Sequence, residues 1–176
     1  VSNTARFLIV CLPLLILSSL LLSLLLYSQK KYTRFFKTSF LLPMAIPVAS
    51  IALLLKLLFH KQGLLNVLLL HIGFHQIDFM NTGSAFGVLV FTYVWKNLGY
   101  DMILWLTGLN GISETLYEAA EVDGAGAWAK FRYITLPELL PTVFVIAILS
   151  FVNSFKVFRE AYLISGDYPQ QKIYML

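Results

Sequence analysis

The first long stretch without a charge, FLIVCLPLLILSSLLLSLLLY at Phe7–Tyr27, restricts this chain more than any other feature. A helix rises about 1.5 Å per residue and the hydrocarbon core of a bilayer is about 30 Å thick, so about 20 apolar residues cross it. A secretory leader has a shorter apolar core, about 7–15 residues, ending in a small-residue cleavage site. This run is longer and is followed by basic residues, so it reads as a membrane span. Composition agrees: 59% of the chain is hydrophobic and 12% charged, where soluble domains hold about 45–50% and about 25%. Cys11 lies inside the run and is expected to act as a small packing residue.

Three further apolar blocks follow, which predicts spans at about 7–27, 40–59, 84–109 and 139–157. The expected fold is therefore all-α, a polytopic membrane helix bundle forming a single domain over 1–176, multi-pass in the cell membrane and bathed in lipid. Pro43 and Pro47 fall in the second block and predict a kink or a broken turn facing protein. Between the second and third blocks, HKQGLLNVLLLHIGFHQIDFMNTG holds a short apolar stretch, Leu64–Leu70, read as an interfacial helix on the outer face.

Charge sets the orientation. Lys30, Lys31, Arg34 and Lys37 crowd one short loop with no acidic residue among them, as expected of a cytoplasmic loop. Lys130 and Arg132 mark a second inside loop, whereas the 60–82 loop holds only Lys61. Segments 28–38 and 110–137 are thus read as inside, and 60–82 and 158–176 as outside. Residue 1 then starts outside, the chain opens on Val, and KIYML closes it as a new apolar run begins. The expectation is a longer parent with one more span on each side. The net charge of +4 does not imply nucleic acid, because no basic stripe on a folded surface accompanies it.

The inside segment 110–137 is too patterned for a slack linker. Ser113 is placed to cap a helix starting at Glu114, and Glu114 and Glu118 suit the positive end of its dipole. Leu116, Ala119, Ala120 and Val122 lie at helical spacing, and Gly124 is placed to close the helix in a left-handed conformation. GAGAWAKFRYI restarts as a second helix carrying Trp128, Phe131 and Ile134, and Pro137 opens the next span. The product is a helix–turn–helix elbow with an alanine-lined face.

Glu118-Ala119-Ala120, three residues, Gly124, nine residues, then Ile134-Thr135-Leu136-Pro137 fill every fixed position of the EAA signature. Here the sequence resembles the permease subunits of binding-protein-dependent ABC importers. GLLN at Gly63–Asn66, WKNLGYDMILWLTGL at Trp95–Leu109, YEAAEVDGAGAWAKFRYITLPEL at Tyr117–Leu139 and KVFREAYLISGDYP at Lys156–Pro169 are similar to the carbohydrate-type group. SGDYP departs from that group, many of whose members have Gly-Gly-Pro there. The resemblance implies the type I importer permease fold and a coupling helix docked on a cytoplasmic ABC ATPase dimer. It makes Glu118, Ala119, Ala120, Asp123, Gly124 and Ala125 the coupling residues, with Glu118 pairing to a basic residue of the ATPase. It also implies a second permease subunit, an extracytoplasmic solute-binding protein, and a sugar or similar polar solute passed inward by alternating access.

The chain is not expected to be an enzyme. It has no G-x-x-x-x-G-K-[ST] to cradle phosphates, so ATP and Mg would be used by the partner and no cofactor bound directly. GAGAWA at Gly124 follows a helix rather than a strand, which rules out a dinucleotide fingerprint. Lys96, Asn97 and Asp101 interrupt the third block, where a charge costs roughly 2.5–3.5 kcal/mol on insertion scales. They read either as lining the solute path or as an inter-helix clamp; Asn153 and Lys156 are path candidates from the fourth block, and Ser154 reads as bonding its own backbone. Tyr93, Trp95 and Phe151 could stack on a sugar but read first as packing aromatics. His71 and His75 have the spacing of a metal pair on a helix but lack a third ligand, so no metal is expected. GSAFG at Gly83–Gly87 is a G-x-x-x-G pattern that hints at close helix packing. The rival functional reading is an ion-coupled secondary transporter or channel working through Lys96 and Asp101. An intramembrane enzyme would need a nucleophile–base or metal pattern, and none is present in the sequence.

Overall fold

A computed structural model describes residues 2–28, 33–79 and 84–156. Lys30, Lys31, Gly83 and the 158–176 segment, including SGDYP, lie outside the described residues, as does the side chain of Arg34. The described elements are all helical: α1 (Ser2–Ser28), α2 (Thr33–Ala45), α3 (Val48–Phe59), α4 (Leu64–His71), α5 (Ala85–Gly111), α6 (Glu114–Val122), α7 (Ala127–Lys130), a π-helical turn (Phe131–Thr135), α8 (Leu136–Glu138) and α9 (Leu140–Ser154).

Two helical runs are long and apolar enough to cross a bilayer, Asn3–Ser28 and Val48–His71. A third candidate is a broken pair, Ala127–Glu138 and Leu140–Ser154, bent by 59°. Helix α5 has the length, 27 residues, but Lys96, Asn97 and Asp101 lower its apolarity. The Leu64–Leu70 stretch thus continues the α3 run as α4, where the sequence placed it in a separate surface segment. The second block breaks at Ile46–Pro47: α2 stops at Ala45, and Pro47 precedes α3 with φ −56° and ψ 139°. A proline lacks the amide donor and pushes its predecessor out of helical geometry, which accounts for the break.

Helix α5 is the hub against which α1, α2 and α9 pack. One cluster joins Phe7, Cys11 and Leu15 of α1 to Ile51 and Leu55 of α3 and to Leu89 and Tyr93 of α5. A second joins Trp105, Leu109 and Ile112 to Leu139 and Ile146, with Tyr117 and Ile134 of the elbow packed against it. Uniform apolarity hides which face of α1 turns inward; residue size reveals it. Phe7, Cys11, Leu15, Ser19, Ser23 and Leu26 are buried, while Ile9, Leu17, Leu21 and Leu25 face outward. Between membrane helices lipid competes with any apolar contact, so small residues and hydrogen bonds carry specificity. The indole of Trp105 accordingly donates to Ser19 Oγ at 3.0 Å.

The close approach hinted at by GSAFG is absent at Gly87, where a methyl group would meet nothing within 4 Å. It occurs instead at Gly99, where a methyl would overlap the Phe40 carbonyl as α2 crosses α5. Sequence spacing alone does not say which glycine sits at a crossing. Cys11 fills the packing place expected of it, fully buried.

Candidate functional site

The elbow is the feature built most deliberately. Helix α6 runs Glu114–Val122 and ends at Gly124, with φ 75°. Gly124 N–H donates to the Glu121 carbonyl at 3.0 Å and Ala125 N–H to the Ala120 carbonyl at 2.8 Å. These two bonds form a complete Schellman closure, which needs a left-handed residue at this position. At the other end the expectation fails in detail. Ser113 makes no side-chain cap; its hydroxyl pairs with Thr115 Oγ1 at 2.7 Å, two hydroxyls satisfying each other instead of the helix amides.

The second arm is also less regular than its sequence pattern predicts. After α7 the chain widens into the π turn, where the Leu136 amide reaches back to the Phe131 carbonyl. Pro137 cannot donate to the Tyr133 carbonyl and its ring would collide with it, so the ladder slips by one residue. Pro137 consequently sits in the short helix α8, and α9 starts beyond Leu139.

Three ties brace the elbow. The Tyr117 hydroxyl and Thr135 Oγ1 are hydrogen-bonded at 2.8 Å across the two arms. Lys130 Nζ donates to Glu121 Oε1 at 2.7 Å across the Gly124 turn. Tyr117 and Ile134 pack on the cluster of α5 and α9. The opposite face is open: Glu118, Ala119, Asp123 and Gly124 are exposed, Ala120 and Ala125 half-exposed. Val122 is 89% exposed, Tyr133 77% and Trp128 74%. A load applied to this face passes through Tyr117 and Ile134 into both α5 and α9.

The Lys130 hydrogen bond, then its positive charge, holds the Glu121 carboxyl below the usual glutamate range, against a small opposing effect of desolvation. A lowered folded-state pKa means the tie is present above the ordinary glutamate pKa and is lost as pH falls through the depressed one. Lys130→Gln is expected to return the Glu121 titration, followed by carboxyl carbon NMR, to the ordinary range.

The polar residues of the spans do not converge on one site. Asp101 is buried and accepts from Ser150 Oγ of α9 at 2.8 Å, the geometry of an inter-helix clamp. Asn97 is half-buried and donates to the Tyr93 carbonyl of its own helix at 2.8 Å; Lys96 is half-buried beside it. Asn153 accepts from Lys156 at 2.9 Å, and Ser154 bonds its own backbone at Phe151. His71 turns back to the Val67 carbonyl, and His75 lies beyond Gly73, whose φ of 88° ends the helix. No cluster of three metal-ligating side chains occurs among the described residues.

Sequence reasoning passed over Ser150 and the individual role of Asn66. Asn66 is fully buried in α4. Its Nδ2 donates to the carbonyls of His60 and Ile77 at 3.1 and 2.8 Å, and its Oδ1 accepts from Ile77 N–H at 2.8 Å. GLLN was legible as a resemblance, but nothing in the letters says that its Asn reaches eleven residues onward.

An all-helical membrane bundle with an exposed, braced elbow is the architecture of a transport component. The chain belongs to the binding-protein-dependent transport system inner membrane component family, which matches residues 15–168. It is 35% identical over 144 residues to the probable ABC transporter permease protein YurN of Bacillus subtilis, covering 80% of this chain and 49% of that protein. It is 32% identical over 164 residues to the lactose transport system permease protein LacF of Rhizobium radiobacter, covering 91% and 55%. The fold matches a crystal structure of a bacterial ABC transporter involved in the import of the acidic polysaccharide alginate, with TM-score 0.84 and 26% identity, over 95% of this chain and 60% of that one. The chain spans about half the length of the curated relatives it matches. The fold class and family expected from the EAA signature are therefore established, and with them a multi-pass membrane protein.

Proposed function

We propose that this chain belongs to the membrane-spanning subunit of an ATP-driven importer for a sugar or similar polar solute. A solute-binding protein delivers the solute from outside, and a second permease subunit completes the passage. A cytoplasmic ATPase dimer grips the elbow at Glu118, Ala119, Ala120, Asp123, Gly124 and Ala125, with Glu118 meeting a basic side chain. The names of the relatives support the solute class: a lactose system for one, arabinooligosaccharides for another. The observation that carries the mechanical reading is an elbow open on one face and braced on the other. A slack acidic loop would have no such ties. ATP and its metal ion are handled by the partner, and this chain supplies the handle and the passage.

The test uses the full-length protein assembled with its partners. A cysteine replacing Val122 is expected to crosslink to the ATPase. Gly124→Val forces a branched residue into a left-handed conformation that costs roughly 1–2 kcal/mol even for unbranched side chains. It should lower ATP-driven uptake about tenfold or more, since about 1.4 kcal/mol is a factor of ten. Uptake that needs no ATP, with no crosslink at Val122, would instead identify an ion-coupled transporter.

A further inference from the structure

Helices α5 and α9 flank the elbow, and they are held together far from it by three buried side chains. Tyr93, Asp101 and Ser150 are 3%, 2% and 2% exposed. Ser150 Oγ donates to Asp101 Oδ2 at 2.8 Å, and the Tyr93 hydroxyl donates to the Ser150 carbonyl at 3.1 Å. Tyr93 is itself fixed edge-on against Phe7 of α1, with ring centroids 5.4 Å apart. One serine is thus gripped twice, at its side chain and at its backbone, from two levels of α5.

Nearer the elbow, α9 is held only by apolar contacts at Leu139 and Ile146. Apolar contact between membrane helices permits sliding and swivelling, because lipid is an equal partner. Directional hydrogen bonds about three turns further along fix the angle as well as the distance. A body held at two separated points cannot pivot about either.

We propose that Tyr93, Asp101 and Ser150 are positioning residues that lock α9 to α5, so that the elbow and both flanking helices move as one rigid lever. This rests on the ATP-coupled reading above. A carboxylate is costly among apolar helices, and an apolar residue would fill the place without fixing an angle. Hydrogen bonds between membrane helices add little to assembly, so loss of the joint should appear in coupling before it appears in folding.

The experiment measures solute taken up per ATP hydrolysed by the full-length protein, assembled with its partners in proteoliposomes. Asp101→Leu and Ser150→Ala are expected to lower that ratio about fivefold or more, the scale of ordinary coupling free energies. Tyr93→Phe, which removes one hydroxyl and leaves the ring contact, should lower it about twofold. Asp101→Asn and Ser150→Thr keep an acceptor and a donor and should restore it. Should Asp101→Leu fail to assemble, the two hydroxyl deletions decide. An unchanged ratio in assembled Ser150→Ala and Tyr93→Phe overturns the proposal. So does an Asp101→Asn variant as damaged as Asp101→Leu, because charge rather than geometry would then matter. A second readout does not depend on ATP: spin labels at Phe91 and Val152, both exposed, report the spacing of α5 and α9. Their distance distribution should broaden in Ser150→Ala, and a distribution as narrow as wild type overturns the joint. If wild-type uptake ignores ATP, the importer reading fails on that measurement alone, while the spin labels still judge the joint.

Discussion

Gly99→Leu is expected to abolish accumulation of the folded protein. A Cβ at residue 99 would overlap the carbonyl of Phe40, and that obstacle is backbone, which cannot rotate away. Relief requires α2 to lift off α5, undoing the packing of Phe40 on Met102 and Leu106. Overpacking of a close-fitting interior costs about 1–3 kcal/mol for a single added group, so Gly99→Ala should already lower the thermal midpoint and Leu should exceed tolerance. The contrast with Gly87 makes the experiment decisive, since a methyl there meets nothing within 4 Å. Gly87→Ala should behave as wild type in detergent, followed by size exclusion of a fluorescent fusion. Equal behaviour of Gly99→Ala and Gly87→Ala would mean that α2 does not cross α5 at this point.

Asn66→Leu is expected to release the stretch that follows α4 while leaving the spans intact. The side chains match closely in size, so little is lost in packing, but three hydrogen bonds disappear together. Each is worth about 0.5–1.5 kcal/mol net, and more where a partner is left buried and unpaired. A total of about 2–4 kcal/mol exceeds the stability of most surface segments. Amide exchange should accelerate at Ile77, whose N–H loses its acceptor, and proteolysis should gain a site between Gly73 and Phe79. Gly63 belongs to the same construction. A methyl there would approach the carbonyls of Leu57, Leu58 and His60 at 2.5–2.9 Å, so the turn admits glycine alone. The protected exchange of Ile77 in wild type, lost in the variant, is the outcome that establishes the clasp.

How much of this was legible in the letters depended on the range of the interaction. Gly124 announced itself because a Schellman closure is written within six residues, Ala120 to Ala125. Pro47 broke the second block for an equally local reason. The π turn was not foreseen, although Pro137 caused it: a proline after a helical stretch is compatible with a fresh helix start as well as a slipped ladder. Ser113 failed as a cap because a competing hydroxyl stood two residues away. The joint at Asp101 was legible as a problem, a charge among apolar residues, but its solution lies on a serine 49 positions later. Ser150 looks like any small residue in a greasy helix. The buried stripe of α1 was hidden for a related reason, since its inward and outward faces are both apolar.

The slipped ladder between Gly124 and Leu139 turns a stretch of chain into a measuring rod. Each residue added or removed there would rotate all that follows by about 100° and shift it by about 1.5 Å. Ile146, Ser150 and Ser154 all face inward from α9, and a single deletion would swing this row toward lipid while bringing its oily neighbours against α5. Letters within the rod can therefore be exchanged more cheaply than its length can be altered. The nine-residue gap separating the turn glycine from Ile134 is a rotational setting written in sequence.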